Sequence, residues 1–289
     1  MKGLAANGFD GPQEYPFTRA DFDAIAKMVH AHSGICLAEG EGKAMLVYSR
    51  LSKRLRRGGV TSFADYVDII RQDAAERALA VEALTTNHTK FFREIHHFEH
   101  FEKHVRPVLV RRIQQGDRVR IWSSASSSGE EIYSLAMCLL GTNKSEALRI
   151  LQGDVALLAT DLSEQVLTTA ERGVYPANLR ADIPARYADL WTSATGGDFA
   201  VAKQLRDLVR FRKLNLLNAW PIKGQFDLIL CRNVMIYFDE PTKELLLKRL
   251  ADQLRPGGIL YIGHSERLSG PAASQLVSAG QTIYRKGAA

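Results

Sequence analysis

Only three cysteines occur among 289 residues, and Cys36, Cys138 and Cys231 stand too far apart to make the spaced pairs of a structural zinc site. The same scarcity excludes a disulfide scaffold and points to a reducing cytoplasm. No apolar run is long enough to span a bilayer, and the first residues carry no signal-peptide pattern. Neither the HExxH of a helix-borne zinc site nor the GxGxxG of a dinucleotide site is present. What remains is the composition of a soluble globular protein with a formal charge of +6. That excess fits an acidic partner, which nucleic acid, a membrane surface or an acidic protein could each supply.

The chain is organised around Val119 to Met137. Val119 to Trp122 is a short β-type run, Ser123 to Gly129 is a turn of small residues, and Ile132, Leu135, Ala136, Leu139 and Leu140 recur at helical spacing. Strand, small-residue turn and helix begin a nucleotide site in an open α/β sheet: small side chains admit a ligand to the backbone, and the helix start offers unpaired N–H groups. Glu130 and Glu131 in the first helical turn would repel a phosphate. They suit a ligand with hydroxyls and a cationic group, such as S-adenosylmethionine. A second strand, Val155 to Thr160, ends at Asp161, where an acid holds a ribose diol in this architecture. Asp161 follows Gly129 by about 30 residues, farther than the usual ~20, and a long connection through Gly141-Thr142-Asn143 accounts for the excess.

Ahead of this core, residues 1–16 read as a flexible tail. Thr18 caps a helix with Asp21 as its capping-box acid and Phe22, Ile25, Ala26 and Val29 inside, ending at Ser33-Gly34. A helix over Glu41 to Arg57 buries Ala44, Tyr48, Leu51 and Leu55 and gathers Arg50, Lys53, Arg54 and Arg57 on an adjacent face. That stripe is either a solvated face or a docking surface for an acidic partner. Ser62 and Asp73 cap two further helices, so the region up to residue 86 is all-helical. Asn87 to Glu94 fits no regular element. It either plugs the core with Phe91 and Phe92 or forms a lid over the nucleotide turn with Arg93 pointing inward. His96, His97, His100 and His104 follow on a helix, without the companion ligands of a metal site, and no metal is expected.

Beyond the opening unit, residues 173–214 are punctuated by glycine and proline and read as an insertion with its own small antiparallel sheet, Phe199 to Ala202 and Leu208 to Phe211 being its strands. Phe211 to Asn215 leads back into the main sheet, Phe226 to Cys231 is a central strand, and the polar residues after it face the ligand crevice. Ile259 to Ile262 is the next strand, and Gln275 to Ala279 with Gln281 to Tyr284 form a closing hairpin.

Six motifs coincide in order: Asn87-x-Thr89-x-Phe91-Phe92-Arg93-Glu94, Trp122 to Ser134 with Gly129-Glu130-Glu131, Ala159-Thr160-Asp161, Asn215-Leu216-Leu217, Cys231-Arg232-Asn233-Val234-x-Ile236-Tyr237-Phe238, and Gly263-His264-Ser265-Glu266. Together they resemble the bacterial chemotaxis receptor methyltransferases, a protein-glutamate O-methyltransferase family, from about Phe17 to Tyr284. The resemblance implies an all-α N-terminal docking domain over 17–86. It implies an α/β, Rossmann-like methyltransferase domain over 87–289, with a small antiparallel β subdomain inserted at 173–214. The cofactor would be S-adenosylmethionine, leaving as S-adenosylhomocysteine, with no metal. Its site would be built by Asn87, Thr89, Arg93, Glu130, Asp161, Asn215, Leu216, Asn233 and Val234. Arg93 and Tyr237 would be the catalytic residues. The substrates implied are glutamates on the cytoplasmic helical bundle of chemoreceptors, which makes Arg50, Lys53, Arg54 and Arg57 the docking face and places the chain in the cytoplasm, recruited to receptor arrays without entering the membrane. In some relatives the β subdomain grips a peptide at the receptor's C-terminus. Around Thr195 to Asp198 this chain is shorter, which speaks against that role. Ala125 to Gly129 stands where many relatives have Cys and Thr, and Ile132 where proline is common; both departures keep the turn small.

Two other classes fit these residues less well. An amino-methylating nucleic-acid enzyme carries Asn/Asp-Pro-Pro-Tyr/Phe after its fourth strand, whereas Val234-Met235 follow Asn233. A cytosine-C5 enzyme needs a Pro-Cys nucleophile, and Cys231 follows Leu230 inside a strand. A non-catalytic module binding S-adenosylmethionine or a receptor is opposed by the intact set Arg93, Asp161, Asn233 and Tyr237.

Overall fold

A computed structural model of the chain describes residues 14–37 and 41–287. Two compact units are distinguished, one of residues 1–86 with 237–239 and one of residues 87–236 with 240–289. The tail expected over 1–16 lies outside the described residues up to 13; at its end the Glu14 amide donates to the Tyr48 hydroxyl at 2.6 Å.

The first unit is helical: α1 (Arg19–Ser33), α2 (Glu41–Gly58), α3 (Phe63–Gln72) and α4 (Ala74–Leu84). Its helix starts follow local chemistry. Thr18 and Asp21 exchange both bonds of a capping box, and Gly34 ends α1 in the left-handed region at φ 69°. Ser62 caps α3 through the Asp65 amide, and Asp73 caps α4 through Ala75 and Glu76. Phe17, Tyr48 and Phe63 form an aromatic centre with ring centroids 4.4 to 5.8 Å apart. Residues 237–239 associate with this unit: the Cys36 amide donates to the Tyr237 carbonyl at 2.7 Å, and His30 Nε2 lies 3.0 Å from Asp239 Oδ2. Cys36 is exposed, whereas Cys138 and Cys231 are buried.

The second unit opens on α5 (Ile95–His100), a π-turn over Phe101–Val105 and α6 (Arg106–Gln114). Then come β1 (Val119–Ser123), α7 (Glu130–Leu140), α8 (Lys144–Leu151), β2 (Val155–Asp161), α9 (Glu164–Arg172), β3 (Val174–Pro176), α10 (Ala185–Trp191), β4 (Thr192–Thr195), β5 (Asp198–Val201) and α11 (Lys203–Leu208). The chain ends through β6 (Val209–Lys213), β7 (Phe226–Cys231), α12 (Glu240–Gln253), β8 (Leu254–Ile262), β9 (Leu276–Gly280) and β10 (Ile283–Lys286).

The main sheet has the order β6-β2-β1-β7-β8-β10-β9. Its first five strands are parallel, and β10 runs antiparallel to both β8 and β9. From β1 the chain steps outward to β2 and β6, then returns across β1 to lay down β7 on the other side. The crevice at the carboxyl ends of β1 and β7, where that order reverses, is where open α/β sheets take ligands. Ser123 pairs with Leu230, so the two strand ends stand level. The interior location explains the composition here: β7 is buried at every residue, and α7 is buried on all faces from Ile132 to Leu140.

The long connection expected through Gly141-Thr142-Asn143 is present and carries α8, capped by Asn143. One expectation is corrected. The strand expected near Leu208 to Phe211 is not part of the inserted sheet. Val209 to Lys213 pairs in parallel with β2, Val209 opposite Leu157 and Phe211 opposite Ala159. The inserted sheet is β3-β5-β4, within 174–201. Val209 and Phe211 face inward while Arg210, Arg212 and Lys213 face out, a one-sided alternation that an edge strand of either sheet would show.

Gly129 closes the opening turn at φ 95°, and a Cβ there would stand 2.8 Å from the Ala170 Cβ and 3.1 Å from the Tyr175 hydroxyl. Gly129→Ala is therefore expected to cost about 1–3 kcal/mol in denaturant unfolding and to displace the turn it closes; unchanged stability would contradict this packing.

Candidate active site

The small-residue turn is stitched to its surroundings by its own backbone. The Ser124 amide donates to the Leu230 carbonyl at 2.8 Å and the Ser126 amide to the Thr160 carbonyl at 2.9 Å. The Ser127 amide donates to Asp161 Oδ2 at 2.8 Å, and its hydroxyl to the Asn87 carbonyl at 2.9 Å. Asp161 Oδ1 accepts from the Ser163 amide at 3.0 Å. These bonds draw the ends of β1, β2 and β7 and the loop from Asn87 around one point. Glu130 is 4% exposed and accepts from the Ser128 hydroxyl. Burial pushes its carboxyl above the ordinary range. Ser126 Oγ is buried without a hydrogen-bond partner. A desolvated acid and an unused hydroxyl at a turn of small side chains fit a ligand carrying a cationic amine and hydroxyls. S-adenosylmethionine has both.

Beside this turn lies a charge network. Arg232, directly after β7, donates from Nη1 to Glu131 Oε2 at 2.7 Å and from Nη2 to the Arg93 carbonyl, and Nη2 stands 3.2 Å from Glu94 Oε2. The Arg232 side chain is 1% exposed and that of Glu94 10%. Glu131 Oε1 accepts from the Ser123 hydroxyl at 2.7 Å. Glu94 Oε1 accepts from Asn233 Nδ2 at 3.1 Å and from the His264 amide at 3.2 Å, with His264 Nδ1 2.9 Å away. Burial alone would raise the Glu94 carboxyl, but Arg232, Asn233 and His264 bring it down to about 2. Next to it His97 stacks on Tyr261 with centroids 4.8 Å apart, and its Nε2 lies 2.9 Å from the Thr282 hydroxyl. Burial, with Arg232 and His96, pulls this imidazole down to about 3. Glu266 closes the turn after β7 by accepting the amides of Gly263, Met235 and Asn233.

The residues singled out from sequence are not all in one place or one role. Asn87, Glu130 and Asp161 meet around the turn. The Leu214 amide bonds the Asp161 carbonyl at 2.9 Å, and Asn215 Oδ1 accepts from the Leu217 amide at 2.9 Å, which brings the Asn215-Leu216 turn to the end of β2. Arg249 holds that turn by donating to the Leu216 carbonyl at 2.7 Å while stacking on Trp220 at 3.9 Å. Thr89 and Arg93 are half-buried in the loop, with Arg93 Nη1 donating to the His88 carbonyl at 3.0 Å. The Asn233 side chain is spent on Glu94, and Val234 is half-buried. Tyr237 falls with residues 237–239 in the helical unit and is half-buried.

The basic stripe divides in two. Arg50 donates to the Ala83 and Thr85 carbonyls at the end of α4, and Arg54 pairs with Glu76, which also accepts the Tyr66 hydroxyl. Lys53 and Arg57 alone of the four are exposed. Helical spacing places the four together but does not reveal acceptors on α4. Of the histidines, His97 is engaged with Thr282, and His100 lies 2.8 Å from the Tyr261 hydroxyl. Two groups of possible metal ligands occur among the described residues, Glu94 with His96 and His97, and His30 with Cys36 and Asp239. The Arg232 guanidinium beside Glu94 opposes a cation at the first.

Sequence reasoning left Glu94, Arg232 and Glu266 out of the site and read Glu131 toward the ligand rather than toward Arg232. One signal was available: Arg232 follows the apolar run Leu228 to Cys231 of a strand buried at every residue, and a charge in that position must find partners.

Residues 20–85 match the family model described as CheR methyltransferase, all-alpha domain, and residues 87–284 that described as CheR methyltransferase, SAM binding domain. Chemotaxis protein methyltransferase 2 of Pseudomonas aeruginosa is 45% identical over 284 residues, covering 95% of each chain. The probable chemotaxis protein methyltransferase of Rhizobium etli is 43% identical over 264 residues, 89% of this chain and 96% of that one. The chemotaxis protein methyltransferase of Escherichia coli K12 is 37% identical over 272 residues, 92% and 90% respectively.

The network has a pH signature. The Glu94 carboxyl is lowered on folding, so its contribution is complete above its ordinary 4.5 and is lost as pH falls toward about 2. The full loss is about 3 kcal/mol. His97 adds to the same slope, because an unfolded chain takes up a proton below about 6.5 that the folded chain refuses until about 3. Glu94→Gln should be less stable at neutral pH and decline less steeply below pH 4.5 in urea titrations; an unchanged acid slope would refute the assignment.

Proposed function

The chain belongs to the CheR methyltransferase family, S-adenosylmethionine-dependent enzymes of chemotaxis, and from that premise we propose that it esterifies glutamate side chains on the cytoplasmic helical bundle of chemoreceptors. One observation carries the site assignment: the turn at the β1/β7 reversal is anchored to the ends of β2 and β7 by its own backbone bonds, with the desolvated Glu130 carboxylate at its edge.

In this reading Glu130 takes the cofactor's ammonium, Asp161 the ribose, and Asn215-Leu216 the adenine end, with Asn87, Thr89, Arg93, Asn233 and Val234 completing the enclosure. The bound cofactor supplies a sulfonium methyl that a glutamate oxygen displaces, an O–C bond forming as the C–S bond breaks and its electron pair stays on sulfur. A glutamate titrating near 4.3 is already ionised at neutral pH, so the chain needs no strong general base. Its task is alignment at near-contact distance and exclusion of water. Arg93 orients the carboxylate or the cofactor, and Tyr237 walls the methyl. No helix among the described residues is long and apolar enough to cross a membrane, and the chain reaches its receptors from the cytoplasm. Docking rests on Lys53 and Arg57, since Arg50 and Arg54 are committed within the helical unit. Acidic receptor helices complement that pair.

The direct test is labelled-methyl transfer to a panel of receptor cytoplasmic fragments, followed by release in base, which identifies an ester; incorporation into nucleic acid, or none into any fragment, would overturn the reading. Arg93→Ala should lower kcat by about 100-fold or more with far-UV circular dichroism unchanged, and near-normal turnover would remove Arg93 from the mechanism. Lys53→Glu combined with Arg57→Glu should raise the KM for receptor by about tenfold while leaving kcat, and the gap should close as salt screens the contact.

A further inference from the structure

The feature with most unexplained order is the backbone on either side of Arg93. Phe92 stands at φ 52° and Glu94 at φ 59°, both in the left-handed region, and Asn233, whose side chain reaches Glu94, stands at φ 58°. Residues without glycine's freedom hold such angles only where their surroundings over-determine them. Arg93 does not do this for itself, since its guanidinium bonds a carbonyl of its own loop. The restraint comes from the other side of the crevice. Arg232 extends from β7, and its one guanidinium reaches the Arg93 carbonyl, the Glu94 carboxylate and, through Nη1, Glu131 at the start of α7. Glu131 is in turn held by Ser123 at the end of β1. The Phe92 amide donates to the Ser134 hydroxyl at 3.0 Å, which fixes the preceding residue to α7 as well.

We propose that Arg232 is a positioning residue for methyl transfer: it ties the loop bearing Arg93 to the ends of β1 and β7 and so sets the direction of the Arg93 side chain. The inference rests on the catalytic role given to Arg93 above. A forked guanidinium meets the two acceptors on the loop through Nη2 and the one on α7 through Nη1. An ammonium carries the same charge from a single atom and cannot span them. A purely structural ion cluster would have the same burial, so the test must read coupling to Arg93 rather than stability.

The experiment is a double-mutant cycle in the full chain with a receptor fragment as methyl acceptor. Arg232→Lys is expected to lower kcat by about 30-fold or more, with KM for both substrates and calorimetric affinity for S-adenosylhomocysteine changed by less than about threefold. Introduced into Arg93→Ala, the same change should cost less than about threefold further, because nothing remains to be positioned. Equal losses in the two backgrounds, or turnover by Arg232→Lys close to that of the parent, would overturn the proposal. If Arg232→Lys does not fold, Glu131→Gln removes one arm of the clamp while conserving shape and is read in the same cycle against the same outcomes. An unmodified chain that methylates no receptor fragment would defeat the functional reading itself, whereas an active chain with an additive cycle defeats only the role of Arg232.

Discussion

A cation with almost no access to water sits at the carboxyl edge of the sheet, and much of the crevice is arranged around keeping it satisfied. Burying an unpaired guanidinium costs several kcal/mol, and Arg232 avoids that cost with two carboxylates and a main-chain carbonyl. Two acids against one base leave negative charge over, and it is absorbed locally: Ser123 donates to Glu131, and Asn233 and the His264 amide donate to Glu94. Each of these donors is drawn from the end of a different strand or from the turn that follows it. The crevice is thus a place where polar groups at three strand ends are forced to agree on one geometry.

The topology supplies the reason that such groups meet at all. Because β7 is laid down beside β1 only after the chain has gone out to β6 and returned, the connections after β1 and β7 leave their shared edge in opposite directions. The residues there follow strand ends that are fully buried, so a charge placed among them is desolvated by position. That is why Glu130 titrates upward while Glu94, a few residues from Arg232 in space rather than in sequence, titrates downward. Two carboxylates in one crevice are given opposite preferences by their neighbours, one short of cationic partners and the other supplied with them.

Much of this was legible in the amino-acid order. Thr18, Ser62, Asp73 and Ser163 each announced a helix start, because capping is a contact between residues two or three apart. The strand, small-residue turn and helix from Val119 to Leu140 were readable for the same reason. That the main-sheet strand begins already at Val209, alongside β2, was not, since alternation tells which face is buried and not which strand lies alongside. Nor was the commitment of Arg50 and Arg54 to α4, or that of Arg232 to Glu94, 138 positions earlier in the chain. Side-chain partners distant in sequence leave no periodic trace.

The placement of sulfur in this fold has a practical side. Cys138 lies inside α7 and Cys231 ends the central strand, and burial pushes both thiols well above their ordinary range. Thiolate is the reactive species, so an alkylating reagent meets the native enzyme at Cys36 alone. A chromogenic thiol count therefore doubles as a gauge of the core, reading one group per chain while the sheet is intact and three once it has opened.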